Sequence, residues 1–145
     1  MKVKIKKLFP NSVLPSYAKE GDAGMDLTAT SIKMDDDGNY SYGVGLAFEI
    51  PKGFVGLLFP RSSNCKKSLI LSNSVGVLDS SYRGEVFFKF KPSMVAPSNK
   101  EYKKPYEVGE RIGQIIILPY PPIEFEEVEE LSESDRGTGG FGSTN

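Results

Sequence analysis

The tightest constraint on this chain is the period of its apolar residues, which is two wherever a period can be read. Ile112, Gln114, Ile116 and Leu118 alternate with Gly113, Ile115 and Ile117, so both faces of that segment are largely apolar. Val86, Phe88 and Phe90 alternate with Phe87, Lys89 and Lys91, and Val3 and Ile5 alternate with lysines. Val44, Leu46, Phe48 and Ile50 fall on one face of a single predicted strand, with Phe54 to Phe59 following after Pro51-Lys52-Gly53. Successive side chains of a strand point to opposite sides, so this pattern belongs to sheets and not to helices. Turn-forming clusters such as Asp35-Asp-Asp-Gly-Asn39 and Pro119-Tyr-Pro-Pro122 separate the runs. Many short strands with turns between them predict an all-β sandwich or barrel in one domain. Lys91 to Tyr106, polar and proline-containing, reads as a surface loop.

What the chain lacks narrows its chemistry. Among 145 residues there is no histidine and one cysteine, Cys65. Ser-His-Asp and Cys-His catalysis, histidine bases, and Cys/His zinc sites within one chain are therefore excluded. Proton transfer would have to run on Asp, Glu, Lys or Tyr, and a metal would be a hard cation held by oxygen. The formal net charge is −1, with no basic face that would suggest nucleic acid. The longest apolar run, Ile115 to Leu118, is too short to span a bilayer, and the basic N-terminus leads into Leu8-Phe9-Pro10 without an apolar stretch. These features predict a soluble protein of a reducing compartment, the cytoplasm.

Several short motifs carry possible chemistry, each with a plain structural reading beside it. Pro60-Arg-Ser-Ser63 presents a guanidinium and two hydroxyls that suit an anion, although a turn with a surface arginine has the same residues. Asp79 and Tyr82, in Gly76-Val-Leu-Asp-Ser-Ser-Tyr-Arg-Gly84, fit a turn carboxylate and a cross-strand aromatic as readily as a catalytic pair. Asp26 could be a strand-edge carboxylate, and Gln114 an amide satisfied by backbone. Gly137-Thr-Gly-Gly-Phe-Gly142 matches the dinucleotide fingerprint in letters, but too little chain follows for the required helix. That glycine-rich tail, with no aliphatic residue after Leu131, is either a frayed terminus or a flap that orders on a ligand.

Taken in order, the motifs resemble the five signatures of the homotrimeric dUTPase family. They are Ala23-Gly-Met-Asp-Leu27, Pro60-Arg-Ser-Ser63, Asn73 to Glu85, Glu110-Arg-Ile-Gly-Gln114, and Arg136 to Thr144. The resemblance implies a distorted β jelly-roll and a homotrimer with three shared active sites. One subunit would give motifs one, two and four, a second motif three, and the third its C-terminal arm. It implies dUTP as substrate, hydrolysed to dUMP and pyrophosphate with Mg²⁺. Asp79 would activate the attacking water, Tyr82 would exclude a 2′-hydroxyl, and Asn73 with the backbone beside Gly76 would read uracil. Arg61, Ser62, Ser63 and Gln114 would meet the phosphates, and Asp26 would hold Mg²⁺ through its water shell. From the arm, Arg136, Gly142, Ser143 and Thr144 would contact the phosphates while Phe141 stacks on uracil. Residues 1–131 would form the β domain and 132–145 the arm.

Departures from the family pattern are Gly113 where Ala is usual, Leu78 where Ile is usual, and Asn145 where Gly is common. The stretch between Ser63 and Asn73 is about one residue short. A dCTP deaminase shares Arg-Ser-Ser, but Asp79, Tyr82 and the complete arm weigh against it. A regulatory protein on the same fold would have lost a catalytic residue or gained a domain. A structural jelly-roll subunit would explain the strands without the motifs.

Overall fold

The computed structural model describes residues 1–93, 105–140 and 142. Ten strands follow one another: β1 (Lys4–Lys7), β2 (Met25–Thr28), β3 (Ser31–Met34), β4 (Tyr40–Gly43), β5 (Leu46–Glu49), β6 (Phe54–Pro60), β7 (Leu69–Leu71), β8 (Gly76–Leu78), β9 (Phe87–Pro92) and β10 (Arg111–Pro119). A 3₁₀ turn, Ser62–Lys66, is the one helical element among the described residues. No helix of the described residues is long and apolar enough to cross a membrane.

The strands form two antiparallel sheets of four, in the orders β2-β10-β6-β8 and β3-β4-β9-β7, with β1 and β5 paired apart. This is the all-β architecture that the alternation predicts, and it is consistent with the jelly-roll that the family resemblance implies. Leu27, Leu58, Leu78 and Ile115 from one sheet meet Tyr42, Phe88 and Phe90 from the other in a single buried cluster. On β6 and β10 the opposite parity, Val55, Leu57, Phe59, Ile116 and Leu118, points away from that cluster and is only partly covered.

Two segments depart from the sequence reading. Val44 to Ile50 is not one strand, because the chain leaves the second sheet after Gly43 and β5 pairs instead with β1. The break falls at Gly45, whose φ of +65° suits glycine. Its carbonyl is pinned by the Leu8 amide at 2.8 Å and the Ser12 hydroxyl at 2.7 Å. The predicted loop from Lys91 to Tyr106 is also corrected at both ends. Lys91 and Pro92 belong to β9, and Tyr106 is buried; residues 94–104 lie outside the described residues. The Tyr106 ring sits edge-on to Tyr42 at 6.1 Å and tilted against Phe90 at 5.7 Å. The Tyr42 hydroxyl donates to the Tyr106 carbonyl at 3.0 Å, and burial pushes its pKa up to about 12.

Gly113 has a packing reason. A Cβ there would fall inside the ring of Phe88, which is itself fully enclosed between the sheets. Glycine at 113 thus leaves room for the Phe88 ring of the facing sheet. Gly113→Ala should lower stability by about 1–3 kcal/mol, with partial recovery in Gly113→Ala/Phe88→Leu, read from urea unfolding midpoints.

Electrostatics secure the β3–β4 hairpin. Asp35 accepts from the Asn39 amide at 2.8 Å and from the Lys89 ammonium at 2.9 Å. The Lys89 bond first, and the Asn39 backbone second, lower its pKa from 3.8 to about 2. A depressed acid stabilises the fold above its unfolded pKa and loses that contribution as pH falls through its folded one. Asp35→Asn should therefore flatten the pH dependence of the unfolding midpoint between about 4 and about 2. An unchanged acid limb would contradict this role.

Candidate active site

Three of the sequence motifs meet on the outward face of the first sheet. In the register, Gln114 of β10 lies opposite Asp26 of β2 on one side and Phe59 of β6 on the other. Arg61, two residues beyond Phe59, therefore projects on the same side as Asp26 and Gln114. Together with Ala18, Asp22, Ala23, Gly24, Ser62 and Ile116 they line a cleft of about 420 Å³.

Arg111 joins this group by a device the alternation cannot reveal. Three residues from Gln114, it would point to the opposite face of a regular strand. The register slips between Arg111 and Gly113, so Arg111 pairs with Thr28 and regains the face of Asp26. Both carboxylate oxygens of Asp26 are then engaged, Oδ1 by Arg61 Nε and Oδ2 by Arg111, each at 2.8 Å. Arg61 also donates to Ser63 Oγ at 3.2 Å, tying the strand end to the 3₁₀ turn. Gln114 donates to the Pro60 carbonyl at 3.3 Å. Its Oε1 lies where a Cβ of Gly24 would stand, so glycine at 24 makes room for the amide. Arg111 and Gly24 were quoted within motifs but given no role from sequence; the bulge hides the first, and a close approach the second.

Motif three builds a different place. The hairpin from β7 to β8 crosses between sheets through Ser74, a non-glycine residue at φ +60°, with the Val75 amide donating to the Asn73 carbonyl at 2.6 Å. Asn73, Gly76, Tyr82, Glu85 and Phe87 help line a second cleft of about 230 Å³. After β8, a turn closed by the Tyr82 amide on the Asp79 carbonyl at 3.1 Å leaves Asp79 exposed. The Tyr82 hydroxyl donates to the Glu85 carbonyl at 2.9 Å, and its ring packs across Gly84, where a side chain would collide with it. The two clefts have no lining residue in common.

The arm stands apart from both. Residues 121–138 are exposed, with Phe125 at 92% and Leu131 at 88%. Arg136 Nε donates to the Gly139 carbonyl at 2.9 Å, and Gly142 has a φ of +84°. Phe141, Ser143 and Thr144 lie outside the described residues. Within one chain, then, Asp26, Arg61, Ser62 and Gln114 are brought together, with Ser63 joined to Arg61. Asn73, Gly76 and Tyr82 form a separate group, and neither cleft receives Arg136.

Fold and clefts define an all-β protein that gathers guanidinium, hydroxyl and amide donors around a clamped carboxylate, a donor set suited to an anion. The chain belongs to the dUTPase family, whose model matches residues 11–145. It is 41% identical over 148 residues to the deoxyuridine 5'-triphosphate nucleotidohydrolase of Finegoldia magna, covering 99% of each chain. It is 40% identical over 144 residues to the enzyme of the same name from Clostridium acetobutylicum, covering 98% of this chain and 95% of that one. Among solved structures, the Staphylococcus bacteriophage 80alpha dUTPase with dUPNHPP superposes with a TM-score of 0.82 at 28% identity, covering 99% and 98% of the two chains.

The clamp sets a stability test. Asp26→Asn would leave the half-buried Arg61 with a weaker partner and should cost about 1–2 kcal/mol. Arg111→Gln, whose side chain is 54% exposed, should cost less. Urea titrations of the two variants check this ordering; a reversed order would refute the clamp.

Proposed function

We propose that this chain hydrolyses dUTP to dUMP and pyrophosphate in sites shared between the subunits of a homotrimer. The observation that carries the reading is that four of the five family motifs fall in two clefts that a single chain does not join, with the fifth on an arm apart from both. The outward apolar residues of β6 and β10, and the exposed Val77 of β8, support coverage of that face by another copy. The change at Leu131, the last aliphatic residue, to the glycine-rich arm within a stretch exposed from 121 to 138 supports the division into a β domain (1–131) and an arm (132–145) that reaches a neighbour's site. The lone cysteine, free and exposed, accords with a cytoplasmic setting.

In this reading the Asp26 cleft takes the triphosphate. Arg61, Ser62, Ser63 and Gln114 orient it, and the arm adds Arg136, Gly142, Ser143 and Thr144. The hairpin of a neighbouring copy takes the nucleoside. Asn73 and the backbone at Gly76 pair with the uracil edge, which rejects bases whose donors and acceptors would be left unpaired. Tyr82 packs where a 2′-hydroxyl would stand, and Phe141 covers the base. Asp79 accepts the proton of the water that attacks the α-phosphorus, the role a chain without histidine must give to another base. Closing the arm excludes bulk water.

The fit of magnesium follows from the donor set. Among the described residues no cluster of three ligand side chains could hold an ion alone. Asp26 has two acceptor positions occupied by arginine, and a carboxylate offers about four. That suits an ion that keeps its water and arrives on phosphate oxygens rather than a resident one. Among charged lining residues the cleft sets one guanidinium, Arg61, against the carboxylates Asp22 and Asp26. A triphosphate there needs added positive charge, which Mg²⁺ and Arg136 would bring. Bound there, Mg²⁺ would neutralise developing phosphate charge.

The test is pyrophosphate release with Mg²⁺ from dUTP, dCTP, dTTP and UTP in parallel. Release from dUTP alone is expected, and Asp79→Asn should reduce it about 10²–10⁴-fold. Ammonia from dCTP would move the protein toward the deaminases, and undiminished turnover in Asp79→Asn would remove that residue as base.

A further inference from the structure

The 3₁₀ turn that carries Ser62 and Ser63 has little to hold it locally. Its N-cap, Arg61, makes no side-chain capping bond, and its exit runs through Ser68 at φ +52°, a strained value for a residue other than glycine. Its placement must come from outside. Asn64 is the one buried residue of the turn, and both ends of its amide are used. Nδ2 donates to the Leu69 carbonyl at 2.8 Å, while Oδ1 accepts from the Tyr106 hydroxyl at 3.3 Å.

Tyr106 is anchored in turn. Its ring contacts Tyr42 and Phe90, and its carbonyl accepts from the Tyr42 hydroxyl. The Lys67 ammonium, bonded to Glu110 at 3.0 Å, stands 4.9 Å over the ring and closes the other side of the turn. Burial pushes the Tyr106 phenol up, while the nearby Ser63 hydroxyl and the charge of Arg61 pull it back. The hydroxyl reaches Asn64, whose backbone amide donates to the Arg61 carbonyl at 2.9 Å, and the Arg61 side chain donates to Ser63 at 3.2 Å. A continuous path of bonds runs from the aromatic core to the Asp26 clamp.

We propose that Tyr106 is a positioning residue for the phosphate-binding turn, its hydroxyl fixing through Asn64 where Ser62, Ser63 and Arg61 meet the phosphates. The inference rests on the dUTP reading of that cleft. It gives the chain a contact between the segment leading into β10 and the stretch after motif two, which is about one residue short. Tyr106→Phe removes one oxygen and keeps the buried ring, so packing is retained.

The experiment uses the full-length protein and two readouts, steady-state dUTP hydrolysis and calorimetric binding of inorganic pyrophosphate with Mg²⁺. Tyr106→Phe should raise KM for dUTP about 3- to 10-fold with kcat within about twofold, and weaken pyrophosphate binding by the same factor. In an Asn64→Ala background the same substitution should change KM by less than about twofold, because the path is already cut. Asn64→Ala, which leaves Tyr106 intact, should reproduce the rise in KM and serves if Tyr106→Phe does not fold. Wild-type-like KM and pyrophosphate affinity in Tyr106→Phe, or equal effects in both backgrounds, would overturn the inference. Wild-type protein that binds pyrophosphate but releases none from dUTP would instead sink the functional reading and leave this binding comparison standing.

Discussion

Strand β10 has to satisfy two surfaces at once, and much of the molecule is arranged around that demand. It lies between β2 and β6, with Ile115 fully buried against the opposite sheet and Ile116 and Leu118 facing outward. A sheet with one wet face would be polar at those outward positions. The inward demand is met by Phe88, which fills the space above Gly113. The outward face stays apolar and only partly covered, and its rim carries the Asp26 cleft. Core packing, the proposed assembly and the proposed chemistry thus converge on one nine-residue strand.

The cleft is built to be completed. Asp26 is held between two guanidiniums, which orders the carboxylate but spends much of the nearby positive charge on it. The charged residues that line the cleft are one arginine, itself part of the clamp, and two acids. In the proposed reading such a site would bind a polyanion well only when counter-charge arrives with it, from the ion and the arm. The hairpin proposed to take the nucleoside is bare in the same way. Tyr82 is braced by Glu85 and Gly84, yet its outer surface is open.

Alternation made β6, β9 and β10 legible because each buries one parity of residues on a shared core. It failed where the backbone breaks parity. Val44 to Ile50 kept its apolar period through Gly45, since Val44, Leu46, Phe48 and Ile50 are all buried although the chain changes sheets between them. Arg111 escaped notice because a bulge reverses its face. Tyr106 was read as loop because lysines and prolines surround it, whereas its ring completes an aromatic cluster. The motifs were recognisable from their order, and the roles of their residues came from the resemblance alone. That two groups of them would occupy separate clefts is a three-dimensional fact, invisible to spacing and stated beforehand only through family resemblance.

The separation of the two clefts has a consequence at the level of genes. Where each working site draws its phosphate cleft from one copy and its hairpin from another, a defect in Arg61 and a defect in Asp79 spoil different contributions. Two alleles, each silent by itself, would complement when their products co-assemble, because some junctions in a mixed trimer pair two undamaged halves. A chain carrying both defects would instead poison every junction it enters. Inheritance of this activity is a property of the population of chains and not of any single one.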